Sequence, residues 1–345
     1  MSERVSVLWL SQEDVIAAGG LDMSAAMADI EEVYRLHATG DCVLPGKIVL
    51  HWGEDSPEEK ETHINVMPGY LGGRLDAAGL KVIASFVRNP RTRGLPRASA
   101  LMVLHDTETG LPLSVMDGTL ISAVRTGAAT GVGAKYLART DVRRVGLIGT
   151  GVQNRTQLMA LQVARPDLRR VAVFDLRRDS AEAFSTEMAQ RLGLEVTVAS
   201  SAEQAVRGAG IVVTATTTIK PIVRDGWLAQ GSFYAHVSGY ECEYDVIRHA
   251  DKVVVDDWEQ VKHRMASSVA LMWHDGLFAD EDLYAELGEV VVGQRPGREQ
   301  DSEVIVFSPI GLGLYDLAVA NRIYGTALSQ GLGQRMTLWD SPLWM

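Results

Sequence analysis

Val145-Gly-Leu-Ile-Gly-Thr-Gly151 is a short apolar run that ends in two glycines, and Val152-Gln-Asn-Arg-Thr-Gln-Leu158 follows it as a helix-like segment. The order strand, tight turn, helix is the one a dinucleotide pyrophosphate requires. Gly149 permits the turn, Gly151 lets phosphate oxygens approach the backbone, and the helix N-terminus at Val152, Gln153 and Asn154 offers N–H groups and a favourable dipole. A second apolar run, Val171-Ala-Val-Phe174, closes in Asp175, where an acid accepts hydrogen bonds from the adenosine ribose hydroxyls. The third glycine of the fingerprint is absent, with Asn154 in its place. A carboxylate at Asp175 repels a 2′-phosphate and favours NAD over NADP. Arg177 and Arg178 follow it directly, either as receivers of such a phosphate or as a solvated helix start. NAD is the expected cofactor.

A second chemistry is carried by cations. An amino-acid substrate needs its carboxylate fixed, which a guanidinium does bidentately and an ammonium as a point charge. Lys81 sits in Gly79-Leu-Lys-Val-Ile83, an apolar strand-like run. It is either an edge residue whose head reaches water or a cation lining a cleft. Arg125 opens a run of small residues just ahead of the glycine loop and favours the second reading.

These groups need two scaffolds. From Val145 onward, apolar runs alternate with helical segments: Val145–Ile148, Val171–Phe174, Glu195–Val198, Ile211–Ala215, Phe233–Val237, Lys252–Val255 and Val304–Phe307. That rhythm predicts an α/β fold with a doubly wound parallel sheet of Rossmann type. Earlier in the chain, Leu21–His37 has helical periodicity. Short alternating runs follow at His63–Met67, Gly79–Ser85, Ala98–Leu104 and Leu111–Val115, separated by turn-rich segments such as Pro68–Gly73. They predict a smaller α+β domain with a mostly antiparallel sheet. Leu120–Leu137 reads as a connecting helix whose small residues imply close packing, and Tyr315–Leu332 as a final helix returning to the first domain. The expected division is 1–122 with 318–345 as substrate-binding and dimerisation domain, and 123–317 as NAD-binding domain.

The 345 residues exceed one ordinary core. A net charge of −11 without a basic run argues against a nucleic-acid partner. No apolar stretch is long enough to span a bilayer, and the start, Met-Ser-Glu-Arg-Val, lacks signal-peptide character. Two isolated cysteines and eight scattered histidines give no metal-ligand spacing, so no metal is expected and a reducing cytoplasm is.

Lys81, the block Asp117-Gly-Thr-Leu-Ile-Ser-Ala-Val-Arg-Thr-Gly-Ala-Ala129, the loop at Gly149, Asp251–Asp256, Gly288, Gly297-Arg-Glu299 and Phe307-Ser-Pro-Ile-Gly311 through Asp316 occur in one order. Over nearly the whole length, the chain resembles the ornithine cyclodeaminase/mu-crystallin family. The resemblance implies dimeric NAD(P) proteins whose N-terminal sheets pair across the dimer. It implies that Lys81 and Arg125 bind the substrate carboxylate, with Lys47 a weaker match to a third cation. Thr126, Thr216, Ser238, Ser308 and Gly311 are the further positions assigned to the cofactor.

Two departures separate this chain from the cyclodeaminases. Asn65 stands where they carry a glutamate for the substrate's distal amine. Tyr240 stands where they carry a catalytic aspartate, and Glu241, one residue later, is the candidate replacement or else a solvated loop acid. The stretches Met67–Gly73, Met116–Ser122, Asp251–Gln260, Ala285–Gly288 and Gly293–Glu299 resemble an opine-type subgroup of siderophore biosynthesis. That resemblance implies NAD-dependent oxidation of a secondary amine such as N-(2-amino-2-carboxyethyl)-glutamate, with hydrolysis to 2,3-diaminopropionate and 2-oxoglutarate. The basic loop Arg88–Arg97 either serves such a polycarboxylate or is a solvated surface. The alternatives are a cyclodeaminase, an amino-acid dehydrogenase or ketimine reductase, and a non-catalytic dinucleotide-binding protein.

Overall fold

The computed structural model describes residues 4–52 and 62–344, so the first three residues lie outside it. The chain divides into two compact units: residues 1–125 with 312–345, and 126–311.

The first unit is built on an eight-stranded sheet ordered Gln334–Trp339, Val5–Leu10, Pro112–Asp117, Ala98–His105, Ala77–Ser85, His63–Leu71 and Cys42–Val43, with Ile48–Leu50 also paired to His63–Leu71. Its pairings are antiparallel except that of Val5–Leu10 with Pro112–Asp117. Opposed residues share a face of a sheet. One face carries Asn65, Met67, Lys81, Met102 and Met116 and is buried. The helices Met23–Thr39 and Gly313–Gln330 pack in this unit, with the Tyr34 and Tyr315 rings 5.4 Å apart. Asp22 caps the first of them through the Ala25 N–H, and Gly40, at φ 74°, ends it.

The His63–Leu71 strand runs through the expected turn at Pro68. Its outer neighbours pair at 64–66 and at 70–71, so Pro68 falls in the gap between them, where a missing N–H is tolerated. The strand Gln334–Trp339 has no counterpart in the sequence reading. Its residues are mostly exposed, and pairing with Val5–Leu10, more than 300 residues earlier, is what makes it a strand.

The second unit is a Rossmann-type α/β domain. Its eight parallel strands are ordered Glu195–Val198, Arg170–Phe174, Arg144–Ile148, Ile211–Thr214, Phe233–His236, Ile305–Phe307, Lys252–Val255 and Ala285–Glu286. The strand direction of winding reverses between Arg144–Ile148 and Ile211–Thr214, the switch point beside which such sheets take ligands. The helix Gly118–Leu137 packs closely here because of its glycines: a Cβ on Gly127 would lie 2.4 Å from the Thr156 carbonyl oxygen, and one on Gly133 2.9 Å from the Phe307 ring. No helix of the described residues is long and apolar enough to cross a membrane.

Candidate functional site

In the first unit the structure gathers three charges. Lys81 sits mid-strand in a row with Met67, Met102 and Met116, so its side chain enters an apolar face and is fully buried. The edge-residue reading is thereby removed. Its Nζ donates to Asp316 Oδ2 at 2.7 Å and to Ser122 Oγ at 3.1 Å. Arg125, on the helix Gly118–Leu137, donates Nε to the other oxygen, Asp316 Oδ1, at 3.2 Å. Burying an ammonium is tolerable only with such a partner. Two cations thus converge on the two oxygens of one carboxylate. The Arg125 contact with Asp316 runs through Nε, at the inner edge of the guanidinium.

Asn65 lies on the same sheet face, two residues from Met67, which directly opposes Lys81. It is buried, and its Oδ1 has no hydrogen-bond partner among the described residues. Such an acceptor is costly unless a donor reaches it. Lys47 is half-buried immediately before the Ile48–Leu50 strand, which pairs with residues 64–66. Arg88–Arg97 forms a short helix, Asn89–Thr92, and a largely exposed loop.

In the sequence Asp316 only ends the stretch from Phe307, and it is not among the expected site residues. Its signal was legible: an aspartate in the first turn of an apolar helix, between Tyr315 and Leu317, both fully buried, demands a cation.

In the second unit the glycine loop has the conformation its sequence implied. Gly149 adopts φ +94°, and a Cβ there would lie 2.6 Å from the Ala215 carbonyl oxygen. Gly151 caps the helix Val152–Ala164, with nothing within 4 Å of a built Cβ, so its side is open to a ligand. Val152 is exposed and Gln153 partly so. Asn154 is fully buried, and its amide donates to the carbonyls of Ile148 (2.9 Å) and Gly149 (2.7 Å), bracing the turn from inside. Asp175 ends the neighbouring strand. Its Oδ2 accepts from the Thr150 N–H (3.0 Å) and hydroxyl (2.8 Å), and its Oδ1 from the Arg177 N–H (2.9 Å). The half-exposed carboxylate is thus locked against the glycine loop with lone pairs remaining. An open glycine, a helix N-terminus and a fixed acid at a switch point fit a dinucleotide.

Across the switch point, Thr216 and Ser238 follow the strands Ile211–Thr214 and Phe233–His236. Glu241 is not a solvated acid. It is fully buried, and its carboxylate accepts from the Thr214 hydroxyl, the Thr216 N–H and hydroxyl, and the Ser238 N–H. Burial nonetheless pushes its pKa up, against those hydrogen bonds. Beside it His236 is held neutral by burial, its pKa lowered to about 4, with Nδ1 3.0 Å from Ser308 Oγ. Ser308 is itself buried. Gly311, at φ +77°, donates its N–H to Asp256 Oδ2 at 2.7 Å, and Asp256 also accepts from Ile310. Thr126, the first residue of this unit, is partly exposed.

Comparison with known proteins agrees with this architecture. Residues 9–331 match the model of the ornithine cyclodeaminase/mu-crystallin family. The chain is 33% identical, over 96% of its length and 99% of the relative's, to N-((2S)-2-amino-2-carboxyethyl)-L-glutamate dehydrogenase of Staphylococcus aureus. Among solved structures it is similar to Thermococcus litoralis Delta(1)-pyrroline-2-carboxylate reductase in complex with NADH and L-proline, with TM-score 0.89, 33% identity and coverage of 96% and 100% of the two chains. It is also similar to an archaeal alanine dehydrogenase dimer with bound NAD, with TM-score 0.88, 35% identity and coverage of 97% and 100%. The chain belongs to the ornithine cyclodeaminase/mu-crystallin family.

Proposed function

We propose that this member of the family is an NAD-dependent oxidoreductase acting on an amino-acid C–N bond. The single observation that carries the reading is the buried Lys81–Asp316–Arg125 cluster, in which two cations of the type that binds a carboxylate converge on one aspartate. Relatives named as an aminocarboxyethyl-glutamate dehydrogenase, an alanine dehydrogenase and a pyrroline-carboxylate reductase support the reaction class. NAD, when bound, supplies the hydride acceptor. Gly149, Gly151 and the N–H groups at Val152 and Gln153 hold its pyrophosphate, and Asp175 its adenosine ribose.

Within this reading the Arg125 fork grips the substrate carboxylate, and Lys81 adds its charge through the strand. Asn65 Oδ1 accepts an N–H of the substrate amine, which pairs the buried acceptor. The substrate we favour is an N-(carboxyalkyl) amino acid such as N-(2-amino-2-carboxyethyl)-glutamate. Loss of a hydride and a proton from the secondary amine gives an imine, and addition of water releases 2-oxoglutarate and 2,3-diaminopropionate. Asn65 in place of a glutamate supports this choice, because a neutral amide gives a distal ammonium no counter-charge.

We also propose a homodimer joined through the uncovered face of the first sheet. Pro68, Leu80, Val103, Val115 and Trp9 form one cross-strand row there, and Ile48, Val66, Val82 and Leu101 another. Ile48, Leu101 and Trp9 are 55%, 45% and 40% exposed, an apolar area that water alone does not favour. A reducing cytoplasm suits a chain with only two cysteines, Cys42 and Cys242.

The deciding experiment incubates the protein with NAD and each candidate substrate, following NADH absorbance and analysing products. The N-(carboxyalkyl) amino acid gives stoichiometric NADH and a 2-oxo acid, and ornithine gives no proline. Arg125→Ala lowers kcat/KM by about thirtyfold or more, the effect of leaving a desolvated carboxylate unpaired, with NAD affinity unchanged. Proline without net NADH would replace the dehydrogenase reading by cyclodeamination, and full activity of Arg125→Ala would remove the clamp.

A further inference from the structure

Glu241 is a fully buried carboxylate, and the basic side chain beside it, the His236 ring 4.0 Å away at Nε2, is itself held neutral by burial. No lysine or arginine of the described residues forms an ion pair with it. Four neutral donors face it instead, two on each oxygen: Thr216 N and Oγ1, both at 2.7 Å, on Oε1, and Thr214 Oγ1 at 2.8 Å with Ser238 N at 3.0 Å on Oε2. A carboxylate held this way accepts no further bond in line and has no route to a substrate, so it is unsuited to proton transfer. Its geometry serves another end.

The donors come from the carboxyl ends of two adjacent parallel strands, Ile211–Thr214 and Phe233–His236. Those ends lie across the switch point from Asp175, on the half of the crevice that takes the second nucleotide of a dinucleotide. The clamped segment is also one wall of the glycine turn: a Cβ on Gly149 would lie 2.6 Å from Ala215 O and 3.2 Å from Thr216 Cγ2. The network runs on to Tyr234, whose hydroxyl is 2.9 Å from Thr214 Oγ1. It reaches a third strand end through the His236–Ser308 pair. The peptide after the carboxylate is pinned as well, since Glu241 O accepts from Ile222 N and Val223 N.

We infer that Glu241 is a positioning residue: its carboxylate staples the loops at Thr216 and Ser238 into the surface that orients the nicotinamide half of NAD. This rests on the dinucleotide reading above. A carboxylate suits the task better than an amide because all four facing groups are donors. In Glu241→Gln one oxygen becomes an NH2 that meets two donors, and at least one loop N–H or hydroxyl loses its partner.

The test compares two ligands on the full-length protein. ADP carries the adenosine and pyrophosphate alone, whereas NADH adds the nicotinamide riboside. In Glu241→Gln, NADH affinity falls by roughly tenfold, the scale of one unsatisfied buried polar group, while ADP affinity is unchanged. The fluorescence of bound NADH shifts toward that of the free coenzyme. Thr214→Val, which removes one donor and keeps the carboxylate, gives a smaller loss of the same kind and carries the test if Glu241→Gln does not fold. Equal losses for ADP and NADH would mean that Glu241 only supports the domain, and undiminished NADH affinity would mean that the loops are held without it. Either result overturns the inference. Wild-type protein that binds neither ligand fails the dinucleotide reading itself, visibly before any variant is made, and the positioning role falls with it.

Discussion

Asp316 should be the costliest polar residue to remove from the first unit, more costly than Lys81, because it serves two cations. Lys81 and Asp316 are both fully buried and 2.7 Å apart, and Arg125 reaches the second oxygen at 3.2 Å. Replacing Asp316 by leucine takes a carboxylate from both cations at once and leaves the Lys81 ammonium in a methionine-lined strand row. Breaking a buried pair from one side in this way costs about 3–5 kcal/mol. Lys81→Met is milder. Methionine matches its neighbours Met67 and Met102, and Asp316 keeps its bond to Arg125, so about 1–3 kcal/mol is expected, the cost of a charged group losing one hydrogen bond. Lys81→Met/Asp316→Leu removes both members of the pair, and its loss falls short of the sum of the single losses by about 1 kcal/mol or more. Urea unfolding followed by circular dichroism gives the stabilities. Hydrogen exchange along Gly313–Gln330 localises them to this unit, which matters because a two-domain chain need not unfold in one step. A Lys81→Met loss equal to or greater than that of Asp316→Leu, or strictly additive single losses, would refute the argument that Asp316 is the hub.

Three further outcomes are expected. Asp175→Ala weakens NAD by about tenfold or more and shifts preference toward NADP; equal losses for the two cofactors would mean that the carboxylate acts only by bracing Thr150. Burial holds the folded pKa of His236 at about 4, below the ordinary 6.5, so between those values the unfolded chain binds a proton that the folded one does not. Stability therefore falls as pH drops from 6.5 toward 4, by about 3 kcal/mol from this group, and a His236→Gln variant that kept the full slope would show that it arises elsewhere. Light scattering should give a dimer, and Leu101→Lys with Val103→Glu should give a monomer that retains the fold by circular dichroism; a wild-type monomer at micromolar concentration would remove the proposed interface.

Much of the cofactor half was legible in the sequence because its signals are local. A strand, two glycines and a helix start are consecutive residues, and Asp175 closes the next strand, so backbone geometry alone links them. The alternation of apolar runs announced the parallel sheet in the same way, and the small residues at Gly127 and Gly133 announced close packing. Strand ends that depend on distant partners were less legible. Gln334–Trp339 is a strand only because Val5–Leu10 lies beside it, and Pro68 stays in its strand only because its neighbours leave a gap there.

Side-chain direction was settled by folding. Asn154, in the first turn of a helix, is expected to face a ligand, and Glu241, in a loop, to face a substrate or water, yet both turn inward. Asn154 closes the turn through two carbonyls, and Glu241 ties two strand ends together. Lys81, ambiguous between a solvated edge and a buried cation, was decided by register, which sets it opposite Met67 and Met102 in the middle of the sheet. The amino-acid order by itself determined the two domain types and the strand–glycine–helix order of the second. Only tertiary structure could join Lys81 to Asp316 across 235 residues of chain. A buried charge chooses its partner by proximity in a low-dielectric interior, and sequence separation carries no information about that distance.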